Sequence, residues 1–146
     1  QFGLVRGVTH TEFIRSRDDG QFYFLETAAR VGGGHIADMV EVATGVKLWE
    51  EWAKIEVGQG ERPYSLPPVG QDYAAVVLCL AQQENPDVSA YDHPFIARRL
   101  LGKKQHVGFI LHGSTAAEVE AHMNDIIPRM ERDFLLTLPP PGKRLF

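Results

Sequence analysis

The stretch Gly7-Val8-Thr9-His10-Thr11-Glu12-Phe13-Ile14-Arg15-Ser16-Arg17-Asp18-Asp19-Gly20-Gln21-Phe22-Tyr23-Phe24-Leu25-Glu26-Thr27-Ala28-Ala29-Arg30-Val31-Gly32-Gly33-Gly34 decides the fold. Its two apolar runs alternate with period 2, are rich in aromatic and β-branched residues, and flank an Asp-Gly step, which together signal a β-hairpin. A loop of three residues, Asp18 to Gly20, with Gly20 in the left-handed region, sets Arg17 against Gln21. In that register Glu12 stands opposite Glu26, and Val8, Ile14, Phe22 and Phe24 share their face. Directly opposed carboxylates repel, so a fold that keeps both usually gives them a cation. A two- or four-residue loop would put the glutamates on opposite faces, as a plain exposed hairpin with two solvated carboxylates.

The residues after Glu26 add to the metal reading. Arg30 is placed to hold an anion, and Gly32 to Gly34 expose backbone N–H groups where a helix begins. Paired carboxylates, an arginine and a glycine-rich helix start together suggest phosphate chemistry. His10 shares a face with Glu12 on a regular strand, so it either touches substrate or phosphate or packs as a half-buried strand histidine.

On these residues the chain resembles the carboxylate–amine ligases of the ATP-grasp superfamily. Members carry an acidic residue on one strand, a hairpin, and a strand ending Glu-x-Asn-x-Arg or a variant. Here the segment is Glu26-Thr27-Ala28-Ala29-Arg30, and the resemblance covers roughly residues 3–57. It implies that Glu12 and Glu26 bind Mg2+ bridging the ATP phosphates and that Arg30 contacts an acyl-phosphate intermediate. Gly33, Gly34 and His10 are then the residues expected at the nucleotide. The implied substrates are a small-molecule carboxylate and an amine, and the Glu-x-Ala-Ala-Arg form is similar to that of the amino-acid ligases that make dipeptides. Ala28 departs from the usual asparagine and removes one metal-ligand oxygen.

Nothing before Glu12 could supply the family's glycine-rich lid and phosphate-binding lysines, and the chain begins at Gln1 without methionine. The resemblance therefore implies the C-terminal portion of a longer enzyme, inactive without its N-terminal half. Truncation would leave the glutamate face wet, so a homo-oligomer is expected. Three other readings stay open: a non-catalytic accessory or dimerisation module, a fragment of a biotin-carboxylase-type enzyme, or one of a purine-pathway enzyme. Gly32 to Ala37 also fits the dinucleotide fingerprint G-x-G-x-x-A, with Glu50 and Glu51 near the acidic position. Its context fails, because Leu25 and Val31 are too far apart and residues 47–56 read as helix.

The chain has 146 residues, is 44% hydrophobic and carries a net charge of −4, enough for one good core and a small second lobe. The acidic balance argues against nucleic acid or an anionic membrane as partner, and no apolar run approaches a membrane span. The one cysteine, Cys79, sits in the apolar run Ala74 to Leu80 and fits a reduced, cytoplasmic protein.

The expected fold is α+β: an antiparallel sheet with packed helices, the C-terminal part of an ATP-grasp fold over residues 1–60 and an α/β subdomain over 61–146. Ile36, Met39, Val40 and Ala43 predict a helix stopped by Gly45, and Leu48, Trp52 and Ile55 a second ending before Gly58. Trp49 and Trp52 either pack that helix or line a pocket. Gly58 to Gly70, with Pro63, Pro67 and Pro68, reads as a linker or excursion. Strands are expected over Tyr73 to Leu80 and Val107 to His112, with a short helix near Pro94 to Leu101. Thr115 and Glu118 form a capping-box pattern ahead of a stripe of Val119, Met123, Ile126, Ile127, Met130 and Phe134, with Pro128 kinking or ending the helix. Pro139 to Pro141 and the tail read as extended.

Overall fold

A computed structural model describes residues 3–136, so the proline tail lies outside the described residues. The fold is α+β, with two antiparallel sheets and three helices among the described residues. Two compact units divide after Gln71, one spanning Gln1–Gln71 and the other Asp72–Phe146. The proline-rich stretch thus belongs with the first unit.

In the first unit, β1 (His10–Arg15) and β2 (Phe22–Ala28) form the expected hairpin, with a different turn. Ser16 rather than Arg17 pairs with Gln21 (N to O, 2.9 Å), leaving a four-residue loop with Gly20 at φ +71°. Side chains select this longer loop. Ser16 Oγ accepts from the amides of Asp18 and Asp19 at 3.2 and 3.3 Å, and Asp19 accepts from the Gln21 amide at 2.9 Å and Tyr23 Oη at 2.7 Å. Alone, that loop would separate the two glutamates. A β-bulge at Leu25 takes up the extra residue, so Phe13 pairs with Phe24 while Glu12 still pairs with Glu26.

The bulge also redistributes the apolar residues. Phe24 meets Phe13 edge to face at 6.1 Å, and Arg15 lies 5.8 Å from the Phe22 ring. Both pairs sit on the face opposite the glutamates, with Thr11 bonded to Thr27 at 2.8 Å. Ile14 remains on the glutamate face, and Val8 precedes the strand.

The chain then passes through buried Val31 and Gly32 into α1 (Ile36–Thr44). Gly45, at φ 76°, ends the helix as expected, its N–H bonded to Glu41 O at 2.8 Å. Helix α2 (Leu48–Gly58) runs through Gly58 rather than stopping before it, and Gln59 takes the left-handed cap at φ 48°. Trp49 is exposed and leans on Trp52 at 5.7 Å, while Trp52 Nε1 donates to Glu56 at 3.0 Å. The proline-rich stretch folds back onto both helices. Tyr64 Oη donates to buried Glu51 at 2.8 Å, and the Gly70 amide donates to Thr44 O at 2.7 Å.

In the second unit, β3 (Tyr73–Leu80), β4 (Ile96–Arg99) and β5 (His106–Gly113) make a sheet of order β3-β5-β4, followed by α3 (Ala116–Asp133). Val107, Phe109 and Leu111 of β5 pack with Ile126, Met130 and Phe134 in one core, capped by Tyr91 stacked on Phe109 at 5.0 Å. Cys79 is half-buried beside it, and burial pushes its thiol pKa up, which suits an inert core side chain.

One sequence expectation fails in this unit, and of the two outcomes expected at Pro128, a kink or an early end, the early end does not occur. The segment near Pro94 to Leu101 is a strand: Ile96 and Arg98 pair with Leu111 and Ile110, and a bulge between them skips Ala97. Helix α3 continues through Pro128 to Asp133. Pro128 is exposed, and the flanking Ile126 and Met130 are buried, so packing holds the helix across the missing N–H. The cap is as expected at Thr115, which accepts from the Glu118 amide at 3.2 Å, but Glu118 reaches back to Ser114 at 2.8 Å rather than to Thr115. Among the described residues no helix is long and apolar enough to cross a membrane.

Candidate functional site

The hairpin and the turn after it gather most of the residues the sequence singled out. Glu12 and Glu26 face each other across β1 and β2, at the separation of about 5 Å between Cβ atoms usual for opposed residues. The Glu26 side chain has no hydrogen bond or ion pair among the described residues, and that of Glu12 has one partner, His10. His10 Nε2 stands 3.0 Å from Glu12 Oε1; the histidine is 18% exposed and the glutamate 42%. Since an ionised carboxylate only accepts, Nε2 is the donor.

His10 also ties the hairpin to the glycine turn. A Cβ on Gly32 would stand 2.9 Å from His10 Nδ1, 3.3 Å from its Cε1 and 3.2 Å from Ile36 Cγ2, so the ring and the helix start occupy the space of a side chain. Arg30 lies at the same turn. Its amide bonds Ala28 O at 2.9 Å, and its guanidinium donates to Val31 O at 2.9 Å. That guanidinium passes 3.9 Å from where a Cβ on Gly33 would be, and pairs with neither glutamate. Its remaining donors are open on an exposed side chain.

Gly33 and Gly34 are exposed, with Gly34 at φ 60° and His35 at φ 64°. The amides of Gly33, Gly34 and His35 make no hydrogen bond within the described residues. His35, near the site in sequence, is occupied by Asp38 at 2.8 Å.

Among the described residues no three His, Cys, Asp or Glu side chains are arranged to hold a metal ion by themselves. Two opposed, partly wet carboxylates suit a different ion state. Mg2+ in nucleotide enzymes keeps several waters and takes one or two carboxylates plus phosphate oxygens. The residues present fit that half-site, and Ala28, opposite His10, offers no further ligand oxygen.

Sequence reasoning missed two parts of this site. Gly32 was one of three equivalent glycines until His10 was seen against it, and the Leu25 bulge that restores the glutamate register has no glycine to announce it. It missed, too, a separate concavity of about 910 Å³ in the first unit, lined by Arg6, Glu51, Lys54, Ile55, Arg62 and Tyr64. There Glu51 is held below the usual carboxylate range by hydrogen bonds from Lys54 at 2.6 Å and from Tyr64. These groups satisfy one another, and none of the hairpin residues lines that space.

No protein family matches this chain, and no curated protein is significantly similar to it.

Proposed function

We propose that this chain is the C-terminal portion of an ATP-dependent carboxylate–amine ligase of the ATP-grasp kind. The observation that carries the reading is the opposition of Glu12 and Glu26, kept by a compensating bulge, next to a glycine turn with open amides and an arginine that spends one donor on Val31 O. In the proposed reaction a substrate carboxylate oxygen attacks the γ-phosphorus of ATP and ADP leaves. The amine nitrogen then attacks the acyl carbon, phosphate departs, and the amine loses a proton.

Glu12 and Glu26 would hold Mg2+, which offsets the phosphate charge when bound. Arg30 directs its open donors at the transferred group, where negative charge develops. The amides of Gly33 and Gly34 offer hydrogen bonds to phosphate oxygens. The missing carboxamide at Ala28 leaves the pair with one fewer ligand oxygen than the family pattern.

The test is phosphate release from ATP by the active enzyme, dependent on both a carboxylate and an amine. Arg30→Ala should lower turnover by about 10² or more, as for loss of one transition-state donor. Near-normal turnover in that variant would sink the assignment and favour a non-catalytic association module.

A further inference from the structure

We infer that His10 positions the carboxylate pair through Glu12 and that Gly32 is the seat that holds its ring, an inference resting on Glu12 and Glu26 as divalent-cation ligands. Both edges of the imidazole are used. Nε2 donates to Glu12 at 3.0 Å, and the Nδ1–Cε1 edge lies on Gly32, where a Cβ would intrude to 2.9 and 3.3 Å. Because Nε2 is engaged by Glu12, that nitrogen acts on a ligand through Glu12 rather than by touching phosphate itself. Gly32 is not in the left-handed region, so space and not backbone conformation demands glycine there.

The two glutamates therefore differ. Glu12 is held in one orientation by a ring that is itself wedged between strand and helix start, whereas Glu26 has no side-chain partner and can swing to meet an ion. Partners behind a ligand of this kind fix its direction, and their loss typically weakens metal binding 10–100-fold.

The experiment measures Mn2+ affinity of the full chain by the electron paramagnetic resonance of the free ion, at one pH and ionic strength. His10→Ala and Gly32→Ala should each weaken binding about tenfold or more. His10→Gln, whose amide nitrogen reaches toward Glu12 but is a poor metal ligand, should restore most of the affinity, which separates positioning from direct ligation. In a double-mutant cycle, Gly32→Ala should cost less once His10 is alanine, because the methyl then meets only Ile36 Cγ2, at 3.2 Å.

If Gly32→Ala alone does not fold, recovery of the native circular dichroism in the double variant supports the seat, and continued failure overturns it. Wild-type affinity in His10→Ala overturns the inference while leaving the cation pair intact. Wild-type affinity in both Glu12→Gln and Glu26→Gln removes the cation pair, and the inference with it.

Discussion

Replacing Glu26 by glutamine should make the first unit more stable while stripping it of divalent-cation affinity. The structure opposes two carboxylates, and among the described residues no lysine or arginine side chain pairs with either. For unit charges about 5 Å apart at the water-facing end of the dielectric range, Coulomb's law gives about 0.8 kcal/mol of repulsion. Screening at 0.1 M salt lowers this to about 0.5 kcal/mol. Glutamine keeps the shape, removes the charge and can donate to Glu12. Urea unfolding followed by tryptophan fluorescence isolates the effect, because Trp49 and Trp52 are the only tryptophans and both lie on α2 of the same unit. The wild-type chain should gain stability with added NaCl, and Glu26→Gln should lose that gain while starting about 0.5 kcal/mol higher. Mn2+ affinity should fall in parallel. A variant unchanged in stability, salt response and Mn2+ affinity would show two independent, solvated side chains, and the argument from opposition would fail.

Gly108→Ala should destabilise the second unit by about 1–3 kcal/mol, because its Cβ would meet Val77 O at 2.8 Å as well as the Leu78 side chain; a cost under about 0.5 kcal/mol, the usual range for a harmless substitution, would mean that β3 and β5 yield easily. Glu51 is depressed in the folded chain by Lys54 and Tyr64, so its contribution is present above the unfolded glutamate pKa and is lost as pH falls through the folded value. Tyr64→Phe should shift the acid limb of the tryptophan-monitored stability curve to higher pH; an unmoved limb would remove Tyr64 as a cause. Self-association is also expected, since Phe13, Ile14, Phe22, Tyr23, Phe24 and Leu25 are all exposed, Phe22 at 70%, and each wet side chain forgoes about 1.5–3 kcal/mol of burial. Sedimentation at micromolar concentration should show a dimer or larger, and a clean monomer would refute it.

Local signals carried most of the fold. The period-2 runs gave β1 and β2, the strand-like apolar runs gave β3 and β5, and Gly45 and Thr115 marked helix ends where the structure has them. What the sequence concealed was settled by pairing at a distance. Ile96–Arg99 is four residues long, carries two arginines and follows a proline, so nothing local marks it as a strand; β5 makes it one. Pro128 carries a strong local stop signal, overridden by buried Ile126 and Met130 on either side. In the candidate site, the Glu12–Glu26 opposition was legible, although through a loop length that the chain does not adopt. The His10–Gly32 contact was not, because no spacing rule brings those two residues together.

The unexpected turn has a physical rationale that bears on the site. A three-residue loop with regular strands would equally have opposed Glu12 and Glu26, but it would have set Phe22 and Phe24 beside them and paired Phe13 with Leu25. The observed ladder instead gains the Phe13–Phe24 and Arg15–Phe22 contacts and the hydrogen bonds of Ser16 and Asp19 within the turn. It costs one unpaired residue, Leu25, left half in water. The exchange moves two aromatic rings to the far face and leaves the carboxylates with His10, Ala28, Ile14 and Tyr23 as their neighbours along the strands. A hydrated divalent ion needs such an opening, since it keeps several waters when it binds. The bulge therefore serves both faces of the hairpin: it pairs Phe13 with Phe24 on the far face and leaves Tyr23, its hydroxyl held by Asp19 in the turn, as the one aromatic ring of β2 on the carboxylate face.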